Sequence, residues 1–258
     1  LSTNLFPKGL SAGEWKEAVG RVQKANPKHA ILVRSVNRGL NSGDYDALTG
    51  CGFKPMFARN VLLFPFKPIE TYPRVKRRQI LRDEHLGRKL GFTWRSGVKL
   101  DEEQAARVAD LYNRLYLGKY SKNNPRFTPL FHAQCASRSI LHYQLLLDGD
   151  RIIGVLGMKV VDGVATMPVL GYDFDHPQAH VLYRILTAKI ARTCSDNNFQ
   201  RHASSGANKF KKLRGGVTNE EFTMVKTSHL SWWRRLNWGL IRFIAQKIGR
   251  PLTHKFET

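Results

Sequence analysis

Four cations crowd residues 204–216, SSGANKFKKLRGG, where glycines stand beside Lys209, Lys211, Lys212 and Arg214. Lysine and arginine side chains bind phosphate oxygens, and glycines let a ligand approach the backbone closely. The segment is therefore a candidate site for a phosphate-bearing ligand. The alternative is a basic turn that is simply solvated.

A proline interrupts one of the most strand-like parts of the chain. Pro168 stands within residues 164–172, VATMPVLGY. Because proline cannot donate to a strand ladder, it belongs at a sheet edge or a β-bulge. Neighbouring backbone groups at such a place can bind a ligand, although an ordinary edge strand explains the proline equally well.

The net charge points to a polyanionic partner. The chain has 42 Lys+Arg against 20 Asp+Glu, a formal net charge of +22. The excess is concentrated in residues 71–91 and 201–258, whereas residues 131–200 carry as many acids as bases. RNA, an acidic carrier protein, a nucleotide cofactor and an anionic membrane are all compatible with this field. The alternative is a basic surface that only confers solubility.

Composition excludes several other classes. Hydrophobic residues make up 42% of the chain and charged residues 24%, which is typical of a folded globular protein. No apolar run approaches the roughly 18 residues of a membrane-spanning helix. Three cysteines without paired spacing predict neither a disulfide framework nor a metal site. A reducing, cytoplasmic location is expected.

The first half of the chain predicts alternating strands and helices. Strands are expected over 30–36, 55–64 and 92–99, and a strongly basic helix over 74–90. Asp101 is a good N-cap for a helix in which Val108, Leu111 and Leu115 recur at helical spacing. Residues 119–128 break that helix, and a short helix is expected over 129–138.

The second half contains the clearest local signal. Three β-rich runs, 140–147, 151–160 and 164–172, are separated by Asp-Gly pairs that favour tight hairpin turns, which predicts an antiparallel meander. An apolar stripe predicts a helix over 178–194. The remaining expectations are a strand at 199–203, the Gly- and Lys-rich turn, a strand near 221–228 and a tryptophan-rich helix over 231–248.

This order resembles a known family. Residues 93–228 resemble GNAT-like acyltransferases of the FemAB and BioF-like group, through LLLDGDRIIGVLGMKVVDGVATMPVLGYD and the G-x-x-x-F-K element at 206–211. The resemblance implies an α/β, GNAT-like fold with a mixed, mostly antiparallel sheet flanked by helices. We expect residues 1–91 to form an N-terminal partial α/β unit with the basic helix, and 92–258 the GNAT-like acyltransferase domain.

The resemblance also implies an activity. In that group an acyl group on a thioester, or on the 3′ end of a transfer RNA, passes to an amine. The donor arm lies where the sheet splays after the last meander strand, which is the position of Pro168. The same resemblance places Lys211 close to the donor, and Lys119 and Asn124 facing the same cleft.

Acyl transfer to a neutral amine needs a proton relay and support for an oxyanion. Tyr172, Asp173 and His142 are the candidate catalytic residues. Tyr172 is favoured for the leaving group, because a phenol can donate a proton while it is neutral at pH 7. Asp173 has the alternative of capping the next helix, and His142 that of a structural histidine.

The donor prediction rests on a missing glycine turn. Coenzyme A needs backbone N–H groups at a helix N-terminus for its pyrophosphate, but residues 174–180, FDHPQAH, contain no glycine. We therefore predict no bound cofactor, and transfer of an aminoacyl group from aminoacyl-tRNA to a small-molecule amine. One alternative is an N-acyltransferase that uses coenzyme A or a phosphopantetheine thioester on an acidic acyl-carrier protein. The other is a non-catalytic RNA-binding module.

The last predicted helix has two interpretations. Its tryptophans and arginines suit a peripheral contact with anionic lipid. Trp233, Leu236, Leu240, Ile244 and Ile248 also form one stripe, which favours packing into the core. Packing is the favoured prediction, and the membrane contact is the alternative.

Overall fold

Strands and helices alternate along the part of the chain that the computed structural model describes, residues 3–7, 10–97 and 99–257. The strands are β1 Ile31–Val36, β2 Lys54–Phe64, β3 Thr93–Ser96, β4 His142–Asp148, β5 Arg151–Val161, β6 Val164–Tyr172, β7 Gln200–His202 and β8 Val217–Lys226. The helices are α1 Ala12–Ala25, α2 Ser42–Gly50, α3 Arg74–Lys89, α4 Glu102–Asn113, α5 Pro129–Ser137, α6 Ala179–Asp196, α7 Asn208–Lys212, α8 Trp232–Ile244 and α9 Arg250–Glu257. Two π-helical segments, Arg114–Tyr120 and Ala245–Gly249, continue α4 and α8.

The chain folds into two compact units, each with its own core. Unit 1 comprises residues 1–64, 202–212 and 216–258, and unit 2 comprises residues 65–201 and 213–215. These bounds follow spatial contacts. The predicted division of the chain into two domains, residues 1–91 and 92–258, stays a prediction.

Unit 2 is built on the predicted meander. Strands β3, β4, β5 and β6 pair antiparallel in chain order. Gly149, Asp162 and Gly163 have positive φ angles of 56°, 45° and 77°, as tight hairpin turns require. The two Asp-Gly pairs therefore fix the register of the meander. The predicted mixed, mostly antiparallel α/β class is confirmed.

Helices cover both faces of this sheet. Side chains of one strand parity, such as Tyr143 and Val155, pack with α4 and α5. Those of the other parity, such as Leu146 and Leu156, pack with α6. Because neighbouring residues on a strand point to opposite faces, this alternation decides which groups can meet on each side.

The start of α4 is as the sequence predicts. The Asp101 side chain accepts a hydrogen bond from Gln104 N (2.8 Å), which satisfies one of the first backbone donors of the helix. The predicted stripe of Val108, Leu111 and Leu115 is buried. The N-cap prediction is confirmed.

Unit 1 has a three-stranded sheet in the order β1, β8, β2, with both pairs antiparallel. The helices α1 and α2 pack near Phe53, Phe57 and Met224 of its core. Ser11 and Glu14 form a capping box at the start of α1, which fixes where this helix begins.

Two predicted boundaries are wrong. The strand expected over 92–99 ends at Ser96, and Val98 lies outside the described residues. The strand expected near 221–228 begins earlier, at Val217. In addition, the basic turn of 204–216 contains the short helix α7.

The prediction that the last helix packs into the core is also wrong. Its stripe of Trp233, Leu236, Leu240, Ile244 and Ile248 is exposed, and no residue of α8 is buried. The helix begins at Trp232, as expected, but the helical backbone continues to Glu257.

Candidate active site

Strand β6 leaves part of one edge without a partner in the described part of unit 2. Its other edge pairs with β5 along the strand. On the open side, Gln200 N donates to Gly163 O (2.9 Å) immediately before β6 begins. The short β7 covers only that first part of β6, and no strand of unit 2 continues the pairing towards Tyr172.

Pro168 lies in a β-bulge at the middle of this strand. The register between β5 and β6 shifts between Thr166 and Val169, so that Met167 and Pro168 together oppose Met158. The prediction that Pro168 occupies an edge or a bulge is confirmed. Its role beside a donor stays a prediction.

Phenols collect on the α6 side of β6, near the end of the strand. The ring centroid of Tyr172 lies 4.8 Å from that of Phe174 and 6.4 Å from that of Tyr183. Tyr116 and Tyr120, from the π-helical segment, lie within electrostatic range of Tyr183. We call Tyr116, Tyr120, Tyr172 and Tyr183 the phenol cluster.

Two of these phenols are held in the neutral form. Burial raises the pKa of Tyr116 well above its usual 10.0, and the neighbouring phenols raise it further. Burial likewise raises the pKa of Tyr183, while Arg201 and Arg214 act in the opposite direction. Phenols with a raised pKa keep their proton at pH 7, so both can donate hydrogen bonds to a developing negative charge.

Cations and an amide border the phenol cluster. Lys119 Nζ lies 5.4 Å, and Arg114 Cζ 5.9 Å, from the centre of the Phe174 ring, within cation–π range. Asn124 Nδ2 donates to Tyr116 O (2.9 Å) and so folds the following loop back onto the segment. The structure therefore brings the predicted Lys119 and Asn124 to the surroundings of Tyr172.

The π-helical segment is what presents these groups. Ser121 N donates to Tyr116 O (2.9 Å), which is the wide i to i+5 bond of a π-helix, a feature frequent at functional sites. The preceding helix is fixed against β6 at Gly171, where a Cβ atom would lie only 2.6 Å from Leu111 C. This close approach determines where Tyr116 and Lys119 stand relative to β6.

Asp173 points to the opposite face from Tyr172. Its carboxylate is fully buried and lies 2.7 Å from Arg107 Nη2 and 2.6 Å from Arg151 Nη2. Burial alone would raise the pKa of Asp173, but the hydrogen bond from Asp175 N and the two arginines outweigh it and lower the pKa. Asp173 is therefore an ionised anchor between α4 and the sheet, and the structure does not bring it to the phenol cluster.

His142 is distant from Tyr172 along the strands. Tyr172 opposes Gly154, which opposes Leu146, whereas His142 opposes Met158. Four residues of β4 therefore separate His142 from the row of Tyr172, about 13 Å along the strand. His142 is exposed at that position, and the structure does not bring it to the cluster.

Arg214 is held in a buried ion-pair network. Asp83 is fully buried, and its Oδ2 accepts from Arg214 Nε (3.0 Å) while its Oδ1 accepts from Arg184 Nε (2.9 Å). The network ties α3, α6 and residues 213–215 together within unit 2. A phosphate would have to compete with Asp83 for Arg214, so we assign Arg214 a structural role and leave its donor contact as a prediction.

The predicted lysines of α7 belong to unit 1. Lys211 Nζ donates to Ala203 O (2.6 Å) and Ser205 O (3.0 Å), so its ammonium group orders the loop that precedes α7. Lys209 is exposed, and Lys212 is half-buried. Donor binding by these three lysines stays a prediction.

The first turn of α6 offers few backbone donors for a pyrophosphate. Asp175 N donates to Asp173 Oδ1 (3.0 Å) and Gln178 N to His176 Nδ1 (3.1 Å). Ala179 N donates to His176 O (2.8 Å), and Val181 N to Gln178 O (3.0 Å). Four N–H groups before and within the first turn therefore already have partners inside the turn, which leaves few donors for the pyrophosphate of coenzyme A.

Among the described residues, neither of the two buried cysteines is an activated nucleophile, and no cluster of side chains could bind a metal ion. Burial raises the pKa of Cys135, and raises that of Cys194 to about 11, so neither thiol is an activated nucleophile. The described residues contain no group of three His, Cys, Asp or Glu side chains able to hold a metal ion.

Sequence reasoning missed most of the phenol cluster. The four-residue spacing of Tyr116 and Tyr120 was the available signal, but the helix was predicted to break at residues 119–128, and Tyr183 lies 63 residues or more further along the chain. Only the packing of α6 on the meander brings Tyr183 to Tyr172. Asp83, at the centre of the arginine network, gave no signal of its own in the sequence, because it stands within a strongly basic helix.

Comparison with solved structures identifies the fold. L-PGS from Bacillus licheniformis has a TM-score of 0.63 and 10% identity, over 91% of this chain and 78% of that chain. The C-terminal domain of a putative lysylphosphatidylglycerol synthetase from Agrobacterium fabrum has a TM-score of 0.62 and 11% identity, over 92% and 80%. FemX has a TM-score of 0.59 and 11% identity, over 91% and 79%. The GNAT-like fold is confirmed.

These identities show the fold alone. No protein-family model matches the sequence, and no curated protein matches it either. Among the described residues, the helices are all too short or too polar to cross a bilayer.

Proposed function

We propose that this chain is an acyltransferase that passes an aminoacyl group from aminoacyl-tRNA to an amine. The observation that carries the proposal is the phenol cluster on unit 2, near the end of β6, where no described strand of that unit continues the pairing that β7 begins. Neutral donors beside open backbone groups suit a reaction in which charge develops on an acyl oxygen.

The proposed reaction exchanges one bond for another. The nitrogen of a neutral amine attacks the ester carbonyl carbon, a C–N bond forms, and the carbonyl oxygen becomes a tetrahedral oxyanion. The C–O bond to the ribose then breaks, and the proton lost by nitrogen reaches the leaving oxygen. Tyr172 relays this proton: the phenol gives its own proton to the leaving oxygen and takes up the one that nitrogen loses, so it ends neutral. Tyr116 and Tyr183 stabilise the oxyanion while keeping their own protons.

The donor assignment draws on the first turn of α6. Because four of its N–H groups bond within the turn, few donors remain there for a coenzyme A pyrophosphate. A donor without a pyrophosphate at this point is compatible with the same turn. The FemAB resemblance implies the 3′ end of a charged tRNA as such a donor.

A basic stripe on α3 supports RNA as the carrier. Arg74, Arg78, Arg82 and Lys89 are exposed and recur at intervals that place them on one face of the helix. Arg74 and Lys89 stand 15 positions apart, about 22 Å along the helix, and the acidic residues of α3, Asp83 and Glu84, pair with arginines elsewhere. Such a row can contact several phosphates of one strand.

A donor panel tests the proposal. The protein is incubated with radiolabelled aminoacyl-tRNA, acyl-carrier protein or acyl-CoA, together with candidate amines. Transfer from aminoacyl-tRNA is expected. Turnover with acyl-CoA or the carrier protein alone would overturn the donor assignment, and tight RNA binding without any turnover would favour a non-catalytic RNA-binding module. Affinity for tRNA should fall by roughly 0.7 log units per contacted phosphate for each tenfold rise in salt.

A further inference from the structure

The C-terminal helices of unit 1 turn their polar face towards the protein. The backbone is helical from Trp232 to Glu257. Arg234 donates to Lys28 O, Gln246 Nε2 to Pro55 O (3.1 Å), and Arg250 Nη2 to Glu220 Oε2 (2.9 Å). Polar side chains and backbone carbonyls therefore hold this helical run in place, in contrast to a surface helix that is attached by its apolar stripe.

The opposite face is apolar and exposed. Trp232 is 67% exposed, Leu236 62%, Leu240 60% and Phe243 57%. The other members of this surface, which we call the apolar face, are Trp233, Ile241, Ile244 and Ile248. Eight such side chains at about 100 Å² each present roughly 800 Å², above the largest patch of a typical monomer, about 300–600 Å².

The charge of the same segment is strongly positive. Residues 232–257 contain six Lys and Arg and one acidic residue, Glu257 at the last position. Arg235 and Lys247 are exposed. Lys247 follows Phe243 by four residues and Ile244 by three, so it stands beside the apolar face.

The position of Lys247 distinguishes between possible partners of the apolar face. Against a second copy of this chain, its ammonium group would be enclosed among apolar side chains by a helical run whose one carboxylate, Glu257, stands at its far end, after the last residue of the apolar face. At a bilayer surface, the same side chain extends to the lipid phosphates while the apolar residues enter the acyl region. Tryptophans suit the boundary between these two layers.

We propose that α8, the π-helical segment Ala245–Gly249 and α9 form a peripheral docking surface for anionic lipid bilayers. The apolar face is inserted, and Arg235 and Lys247 contact the headgroups. The segment lies in the plane of the interface and does not span the bilayer. This surface is independent of the transfer reaction, because the phenol cluster belongs to unit 2.

Co-sedimentation with vesicles tests the proposal. The full chain is mixed with vesicles of 30% phosphatidylserine in phosphatidylcholine, or of phosphatidylcholine alone. Binding to the anionic vesicles is expected, at least about tenfold tighter than to the neutral ones and weakened by salt. The triple variant Leu236→Gln, Leu240→Gln, Phe243→Gln should need at least about tenfold more lipid for half-maximal binding. The variant Leu130→Gln, Val75→Gln replaces exposed apolar residues elsewhere and should bind like the parent.

Tryptophan fluorescence gives a residue-specific readout. On addition of anionic vesicles the emission should shift to the blue, and Trp232→Phe, Trp233→Phe should abolish the shift, whereas Trp238→Phe on the half-buried face should preserve it. No binding to anionic vesicles, or equal binding by the triple variant, would overturn the proposal. Two other results would also overturn it, if the parent shows no binding to lipid. One is a dimer in solution that the triple substitution dissociates, and the other is RNA binding that the triple substitution abolishes.

Discussion

Adding one methyl group at Gly171 should separate α4 from β6 and reduce both stability and transfer. A Cβ atom at this position would lie 2.6 Å from Leu111 C and 2.8 Å from Tyr112 N, against an ordinary contact of at least 3.4 Å. The helix must therefore move by about 0.8 Å, since backbone atoms cannot rotate away. Overpacking of this kind costs about 1–3 kcal/mol of unfolding free energy.

The same displacement reaches the candidate site, because α4 continues directly into the segment that carries Tyr116 and Lys119. A misplacement of about 1 Å can lower a rate by roughly a hundredfold. We expect Gly171→Ala to lower the urea midpoint and to reduce kcat/KM for transfer by about ten- to a hundredfold.

Gly20→Ala is the matched control for this substitution. Gly20 lies in α1, and a Cβ atom there meets nothing within 4 Å. Because alanine is the better helix former, this variant should gain up to about 1 kcal/mol and keep full activity. Gly171→Ala with parental stability and parental rate would refute the idea that this contact positions the site.

Four further substitutions test the charged groups. Asp83→Asn should cost about 3–5 kcal/mol in urea unfolding, because Arg184 and Arg214 lose their buried counter-charge, and an unchanged midpoint would contradict the network. Asp173 has a lowered pKa in the folded state, so its contribution is present above the pKa of the unfolded chain, near 3.9, and is lost as pH falls through the folded value. The parent should therefore lose stability below about pH 4 more steeply than Asp173→Asn, which urea midpoints measured between pH 2 and 7 would show. Lys211→Ala should lower the melting temperature by freeing Ala203 O and Ser205 O, whereas Lys209→Ala should leave it unchanged and weaken donor binding only, as a filter-binding assay would reveal. Equal melting temperatures for these two lysine variants would argue against the role of Lys211 in the loop.

Local signals predicted the meander and its surroundings. The two Asp-Gly pairs, the N-cap at Asp101 and the bulge at Pro168 depend on residues next to one another, and each appears as expected. Side-chain alternation within a strand is equally local. It explains why Tyr172 and Asp173 separate to opposite faces, although they are adjacent in the sequence.

Packing between distant segments could not be predicted in the same way. Tyr183 joins Tyr172 only because α6 lies on the sheet, and His142 is far from both because strand register places it four residues away. The stripe of α8 has the periodicity of a core helix, but periodicity does not specify which face meets the protein. Polar contacts to Pro55, Lys28 and Glu220 decide the orientation instead.

The most direct test of the central claim is the single-turnover rate of aminoacyl transfer from charged tRNA in variants of the phenol cluster. Tyr172→Phe and Tyr183→Phe remove one hydroxyl each, and Tyr45→Phe removes a hydroxyl from unit 1, where the ring packs on Phe222. The account predicts a fall of about a hundredfold for each of the first two variants, as for loss of a proton donor to the leaving group in Tyr172→Phe and of one oxyanion donor in Tyr183→Phe. It predicts the parental rate for Tyr45→Phe. Parental rates in all three variants would contradict it.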